Sequence, residues 1–359
     1  MQRRCATIGR ALFRLSLLSF LSYGLFYFSY KYYIPDFGGN DFFSYYPMYL
    51  HPFNYQVAES SWVYRQLTAV AVHVVWKMGI FYDTTIAFST PGYDKQVFFA
   101  AIFTNYIALL IAALVVTYST EKICPEKSEG WLLLAGILCF LCFFVQQAVL
   151  TGLTEGISWL LVAVGFLGYV SRSLIPIAVV LCLSVIQRET IPFVFGALGA
   201  VGLFYPGKTQ RFDGLVLLFS LTSFLAYILV RLVLIPIPGN ESQLRLLDIM
   251  TSVASWHQKI TKDFIFQALL SQNLLILLAA AAIALRLARR LGSVGESPAI
   301  PTSEISVFLA ALALVFVGFS AGIEVNNIGR ILSILTPLAA PLFVRNLACI
   351  FPSRGTDRI

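Results

Sequence analysis

Ten stretches of this chain are apolar for close to the length of a membrane-crossing helix, and that repetition constrains the fold more than any other feature. They run approximately from Ala11 to Tyr30, Val97 to Thr117, Trp131 to Leu150, Ile157 to Val170, Leu174 to Ile186, Ile191 to Tyr205, Leu215 to Ile235, Phe264 to Leu285, Ile305 to Phe319 and Ile331 to Phe343. A spanning helix needs about 20 mainly apolar residues. The runs are continuous rather than alternating, which argues for helices, and an open sheet facing lipid would leave backbone groups unpaired. Composition agrees: 58% of residues are hydrophobic, only 12% are charged and the mean hydropathy is +0.79. Soluble domains carry roughly 25% charged residues, so several water-facing globules are excluded. The net charge of +7 is therefore no sign of a nucleic-acid partner. The expected fold class is all-α: a polytopic transmembrane helical bundle of about ten spans, with residues 1–359 forming a single integral-membrane domain.

In membrane proteins Lys and Arg collect in short cytoplasmic loops, and this orients the chain. The doubtful segment is Ser61 to Ile80, where Arg65, His73 and Lys77 interrupt an apolar run. With the N-terminus inside and this segment kept on the outer surface, fifteen of the 25 basic residues and seven of the 18 acids fall on the inner side. A crossing there would turn Lys208 to Arg211 and Arg286 to Arg290 outward while Arg14 stayed inside. The expected topology therefore has an interfacial or re-entrant helix in that segment and both termini cytoplasmic; the expected location is a bacterial inner membrane. Arg3 and Arg4 before an apolar run resemble a signal peptide, but the run continues through Leu25 to Tyr30 without a small-residue cleavage site. An uncleaved signal-anchor is the better reading.

Several chemistries leave no trace. None of the six cysteines falls in an outer loop, so no disulfide framework is expected. Cys139 and Cys142 are two thiols in an apolar run without further ligands, and no metal site is expected from them. His73 is the one candidate for membrane O-acyl transfer, a role a lone histidine seldom has. There is no GxSxG elbow and no glycine-rich phosphate loop, which argues against a cytosolic nucleotide donor. No cofactor is expected, with a divalent metal left open.

The outer face holds two long segments, residues 31–96 and 236–262. The first is rich in Tyr and Phe, unlike disordered chain, and carries Asp36 and Asp41 around a Gly-Gly-Asn turn. Short outer connections add Thr154-Glu155-Gly156, Arg188-Glu189, and Glu324 through Arg330. Ionisable residues so closely flanked by apolar helix tend to face a cavity and pair with something. An ordinary loop pair is the plainer account of Arg188 and Glu189; several such groups on one face favour a single outward-facing polar cavity.

This layout resembles the GT-C superfamily of integral-membrane glycosyltransferases. The likeness is carried by an N-inside first helix, a large first outer loop with interfacial helices, Asp41 with Tyr45 in GGNDFFSYY, the Tyr64-Arg65-Gln66-Leu67 segment, and the Arg188-Glu189-Thr190 turn. It departs from parts of the superfamily in that Asp36 and Asp41 are not an adjacent acidic pair. The resemblance implies transfer of a hexose or pentose, with inversion, from a polyprenyl-phosphate-linked donor to a glycan, lipid or protein acceptor of the cell envelope, at the extracytoplasmic face and beside membrane lipid. Such a transfer needs a base for the acceptor hydroxyl, for which Asp41 is the first candidate and Asp36 the second. The departing phosphate calls for cations: Arg188, Arg330 and Arg65, with Lys259, Lys262 and His257 contributed by the second long loop. Tyr45 and Glu324 are sugar or acceptor contacts, and Glu155 and Glu189 either bind sugar hydroxyls or orient the arginines. Two alternatives remain open: a transporter or flippase for a lipid-linked or anionic solute, and a glycan polymerase or ligase.

Overall fold

The computed structural model describes residues 2–34, 41–57, 64–80, 86–125, 127–142, 151–204, 210–234 and 331–350, with isolated positions at 146, 261, 262 and between 305 and 314. The expected runs at 264–285 and most of 305–319 lie outside the described residues, as does the loop at 236–262 apart from its last two positions. The described residues are helical, without strands. In chain order the helices are α1 (Gln2–Tyr32), α2 (Phe42–Leu50), α3 (Gln66–Lys77), α4 (Lys95–Ile123), α5 (Glu129–Leu141), α6 (Glu155–Val170), α7 (Leu174–Ser184), α8 (Thr190–Phe204), α9 (Gln210–Leu229) and α10 (Thr336–Ile350). A π turn, Val230–Leu234, extends α9, and a 3-10 turn, Ser333–Leu335, precedes α10.

Among the described residues, three helices, Thr7–Tyr32 within α1, Lys95–Ile123 and Gln210–Leu229, are long and apolar enough to cross a membrane; α5, α6, α7, α8 and the segment Ser333–Ala348 are shorter apolar helices. At about 1.5 Å per residue, α4 with its 29 residues is the longest central element. It packs against α1, α3, α5, α6 and α10. The Asp94 side chain caps it by accepting the Gln96 N–H at 2.8 Å. α5 stops earlier than the apolar run suggests: Cys142 turns to extended backbone, and the Gln146 amide donates to the Phe140 carbonyl at 2.9 Å. Hydropathy cannot place such an end, because Phe143 to Val145 are as apolar as the helix they follow.

Apart from α2 and α3, the helices run from one end of the bundle to the other, and buried polar contacts identify the two ends. At one end Arg14 of α1 donates to Glu121 of α4 at 2.7 Å and to Glu129 of α5 at 2.9 and 2.8 Å. Lys127 reaches the Ala348 carbonyl of α10 at 3.3 Å, and Arg172, after α6, pairs with the fully buried Asp213 of α9 at 3.1 Å. The α8 and α9 backbones approach closely there, since a Cβ on Gly199 would lie 2.7 Å from the Leu217 nitrogen. At the opposite end lie α2, α3 and the turns at 151–154, 185–189 and 230–234.

α3 does not cross the bundle. Its 12 residues reach only about 18 Å. Leu67 at its start donates to the Ile186 carbonyl, and beyond it Ala87 donates to Tyr30 at the far end of α1, so the chain enters and leaves α3 at the same end. His73 serves this docking: its Nδ1 lies 2.9 Å from the Tyr49 carbonyl and its ring meets Trp76 edge-on. A structural histidine is what the sequence favoured.

Candidate functional site

The polar groups at the α2–α3 end converge because short segments pin their backbones. Before α6 the chain turns through Gly152, whose φ of +65° suits glycine; its carbonyl accepts from Tyr49 at 2.9 Å. Gly156 brings α6 against α4, since a Cβ there would lie 2.9 Å from the Asn105 Cα. The Asn105 side chain uses that proximity: it accepts the Gly156 N–H at 2.9 Å and donates to the Leu153 and Ala101 carbonyls. Glu155 is thereby fixed at the first turn of α6. Gln187, fully buried, ties α3 to the same turn: its Oε1 accepts the Thr68 N–H at 3.1 Å, and its Nε2 donates to the Thr154 carbonyl at 2.9 Å and Ser158 Oγ at 3.1 Å.

These anchors bring together five of the residues singled out in the sequence. Glu155, 1% exposed, accepts from Arg188 at 3.1 Å and has Arg65 at 4.0 Å. Its second oxygen accepts the Thr154 N–H at 3.0 Å. Arg65 donates to the Tyr45 hydroxyl and to Thr154 Oγ1, with its guanidinium 5.5 Å from the Tyr45 ring centre. Glu189 accepts from the Tyr227 hydroxyl at 3.0 Å. Burial pushes the Glu189 carboxyl up, but the charges of Arg65, Arg188 and Arg231 outweigh it and hold the group below the usual carboxylate value.

Arg231 is the member the sequence reading missed. It lies in the π turn after α9, donates to Tyr227 at 2.8 Å, and packs over the Tyr64 and Tyr227 rings at 4.8 and 5.3 Å. Its signal was a lone cation near the outer end of an apolar run, whereas Arg188 was marked by its neighbour Glu189 in a short outer connection. It falls within the expected span from Leu215 to Ile235 and was given no role there. The π turn places it beside Glu189.

The other candidates divide in two. Asp41 immediately precedes α2, partly buried, and its carbonyl accepts from Ser44 and Tyr45; it stands one helical turn before Tyr45, so the two share a face of α2. Lys262 is exposed, with no contact tying it to the cluster among the described residues. Asp36, Lys259, His257, Glu324 and Arg330 lie outside the described residues. No group of three or more His, Cys, Asp or Glu side chains suited to a metal occurs among the described residues.

Three guanidinium groups against two carboxylates leave this cluster with one positive charge in excess, in a setting with little water to screen it. Such an arrangement can hold an anion, and the planar forks of Arg65 and Arg188 suit phosphate. No family model matches the sequence, and no curated protein or solved structure matches it either.

Proposed function

We propose that the protein is a polytopic membrane glycosyltransferase of the GT-C type, with about ten spans and both termini in the cytoplasm. In this reading the Arg14 end lies inside and the Glu155 end is extracytoplasmic. The donor is a polyprenyl-phosphate-linked sugar whose isoprenoid tail stays between helices while its phosphate enters the polar cluster. Asp41 takes the proton of an acceptor hydroxyl, the acceptor oxygen attacks the anomeric carbon, and the bond from that carbon to the phosphate oxygen breaks. The bonding pair leaves with polyprenyl phosphate, whose added negative charge Arg65 and Arg188 stabilise. One observation carries the reading: buried Arg188 and half-buried Arg65 share Glu155, and Arg65 donates to Tyr45 on the helix that begins after Asp41.

The test is turnover in vesicles containing a polyprenyl-phosphate-linked hexose, with membrane extract as acceptor source, followed by release of polyprenyl phosphate. The wild-type chain is expected to release it. Arg188→Lys keeps the charge but loses the fork, and is expected to raise KM about tenfold. Passage of intact donor to the other leaflet with no polyprenyl phosphate released would instead identify a transporter.

A further inference from the structure

The opposite end of the bundle carries a second charged cleft that sugar transfer does not use. It has a volume of about 570 Å³ and is lined by Thr7, Arg10, Arg14, Tyr118, Lys122 and Leu167, among others. That volume falls within the roughly 300–1,000 Å³ of small-molecule sites. We propose that it binds the phosphate-bearing headgroup of an anionic phospholipid from the inner leaflet. The proposal rests on the membrane-spanning part of the functional reading and is independent of sugar transfer.

Three features of the cleft support it. Arg14 is 1% exposed and each of its three guanidinium nitrogens donates to Glu121 or Glu129, so it forms a neutralised floor. Above that floor the cations are accessible: the Arg10 side chain is 56% exposed, with a 3.6 Å approach to Glu121, and Lys122 is exposed. Arg10, Arg14 and Lys122 against Glu121 and Glu129 leave one positive charge in excess, matched to a phosphodiester. Finally, the site opens onto apolar surface suited to acyl chains. Thr7, Arg10 and Arg14 share one face of α1, and along its Arg10 edge Phe13 is 57% exposed and Leu17 half-buried. A soluble anion would gain nothing from that surface. Basic pockets between helices on the cytoplasmic side are suited to anionic headgroups, each surface cation contributing appreciably.

The experiment uses the full chain purified in neutral detergent, offered phosphatidylglycerol, phosphatidylcholine or inorganic phosphate. Lipid retention is read by native mass spectrometry and the unfolding midpoint is measured in parallel. Wild-type protein is expected to retain phosphatidylglycerol about tenfold or more over phosphatidylcholine. Arg10→Gln with Lys122→Gln should remove that preference while keeping the lipid-free unfolding midpoint; both side chains are exposed. Charge-preserving Arg10→Lys with Lys122→Arg should retain it, as should Lys31→Gln with Lys77→Gln away from the cleft. Equal retention of the two lipids would overturn the proposal. So would a preference that survives the neutralising pair, or a midpoint shift reproduced by inorganic phosphate alone.

Discussion

Asp41→Asn is expected to lower turnover by a factor of about 100 or more while leaving donor affinity close to that of the unaltered protein. The magnitude is that of removing a general base, and the separation of effects follows from position. Asp41 precedes α2 and in the proposed reading serves the acceptor, whereas the arginines that would hold the donor phosphate lie at the N-cap of α3 and in the turn before α8. The substitution keeps the side-chain shape, so the first turn of α2, closed by the Asp41 carbonyl, is retained. Asp94→Asn is the control, since asparagine still caps a helix and α4 should be unaffected. Turnover and donor binding measured on the same preparations check the expectation. An unchanged rate for Asp41→Asn would remove Asp41 from the mechanism.

The second large effect is on stability. Glu155→Ala leaves Arg65 and Arg188, with side chains 13% and 6% exposed, facing each other without the carboxylate between them. Removing one partner of a buried ion pair costs roughly 3–5 kcal/mol, which should appear as a marked drop in the unfolding midpoint in detergent. Replacing both partners, Glu155→Met with Arg188→Met, should recover much of that stability, because well-packed apolar residues often substitute for buried pairs without loss. Activity should stay absent in the double variant. Recovery of both stability and turnover would make the pair a structural brace and nothing more.

Hydrophobic run length made the helices legible, because a segment that must satisfy its backbone in an apolar setting has few alternatives to a helix. That α3 enters and leaves at one end of the bundle agrees with the charge argument, by which a crossing at Ser61 to Ile80 would have reversed the basic turns that follow. Arg65, Arg188, Glu155 and Glu189 were legible for the related reason that ionisable groups beside apolar helix need partners. What could not be read was who partners whom. Arg65 and Arg188 are far apart in sequence, and their meeting on Glu155 depends on the close approach of α6 to α4 at Gly156 and on Gln187 bonding to the Thr68 backbone. Neither has a sequence motif. Arg231 was hidden by the π turn, which changes the direction of a side chain without changing the composition of the run.

The measurement that tests the account most directly is a structure of the protein with a polyprenyl-phosphate-linked sugar bound. The phosphate is expected within hydrogen-bond reach, about 3 Å, of the guanidinium groups of Arg65 and Arg188, with the anomeric carbon turned toward Asp41. A phosphate held elsewhere in the protein, or an Asp41 carboxylate pointing away from the sugar into bulk solvent, would contradict it.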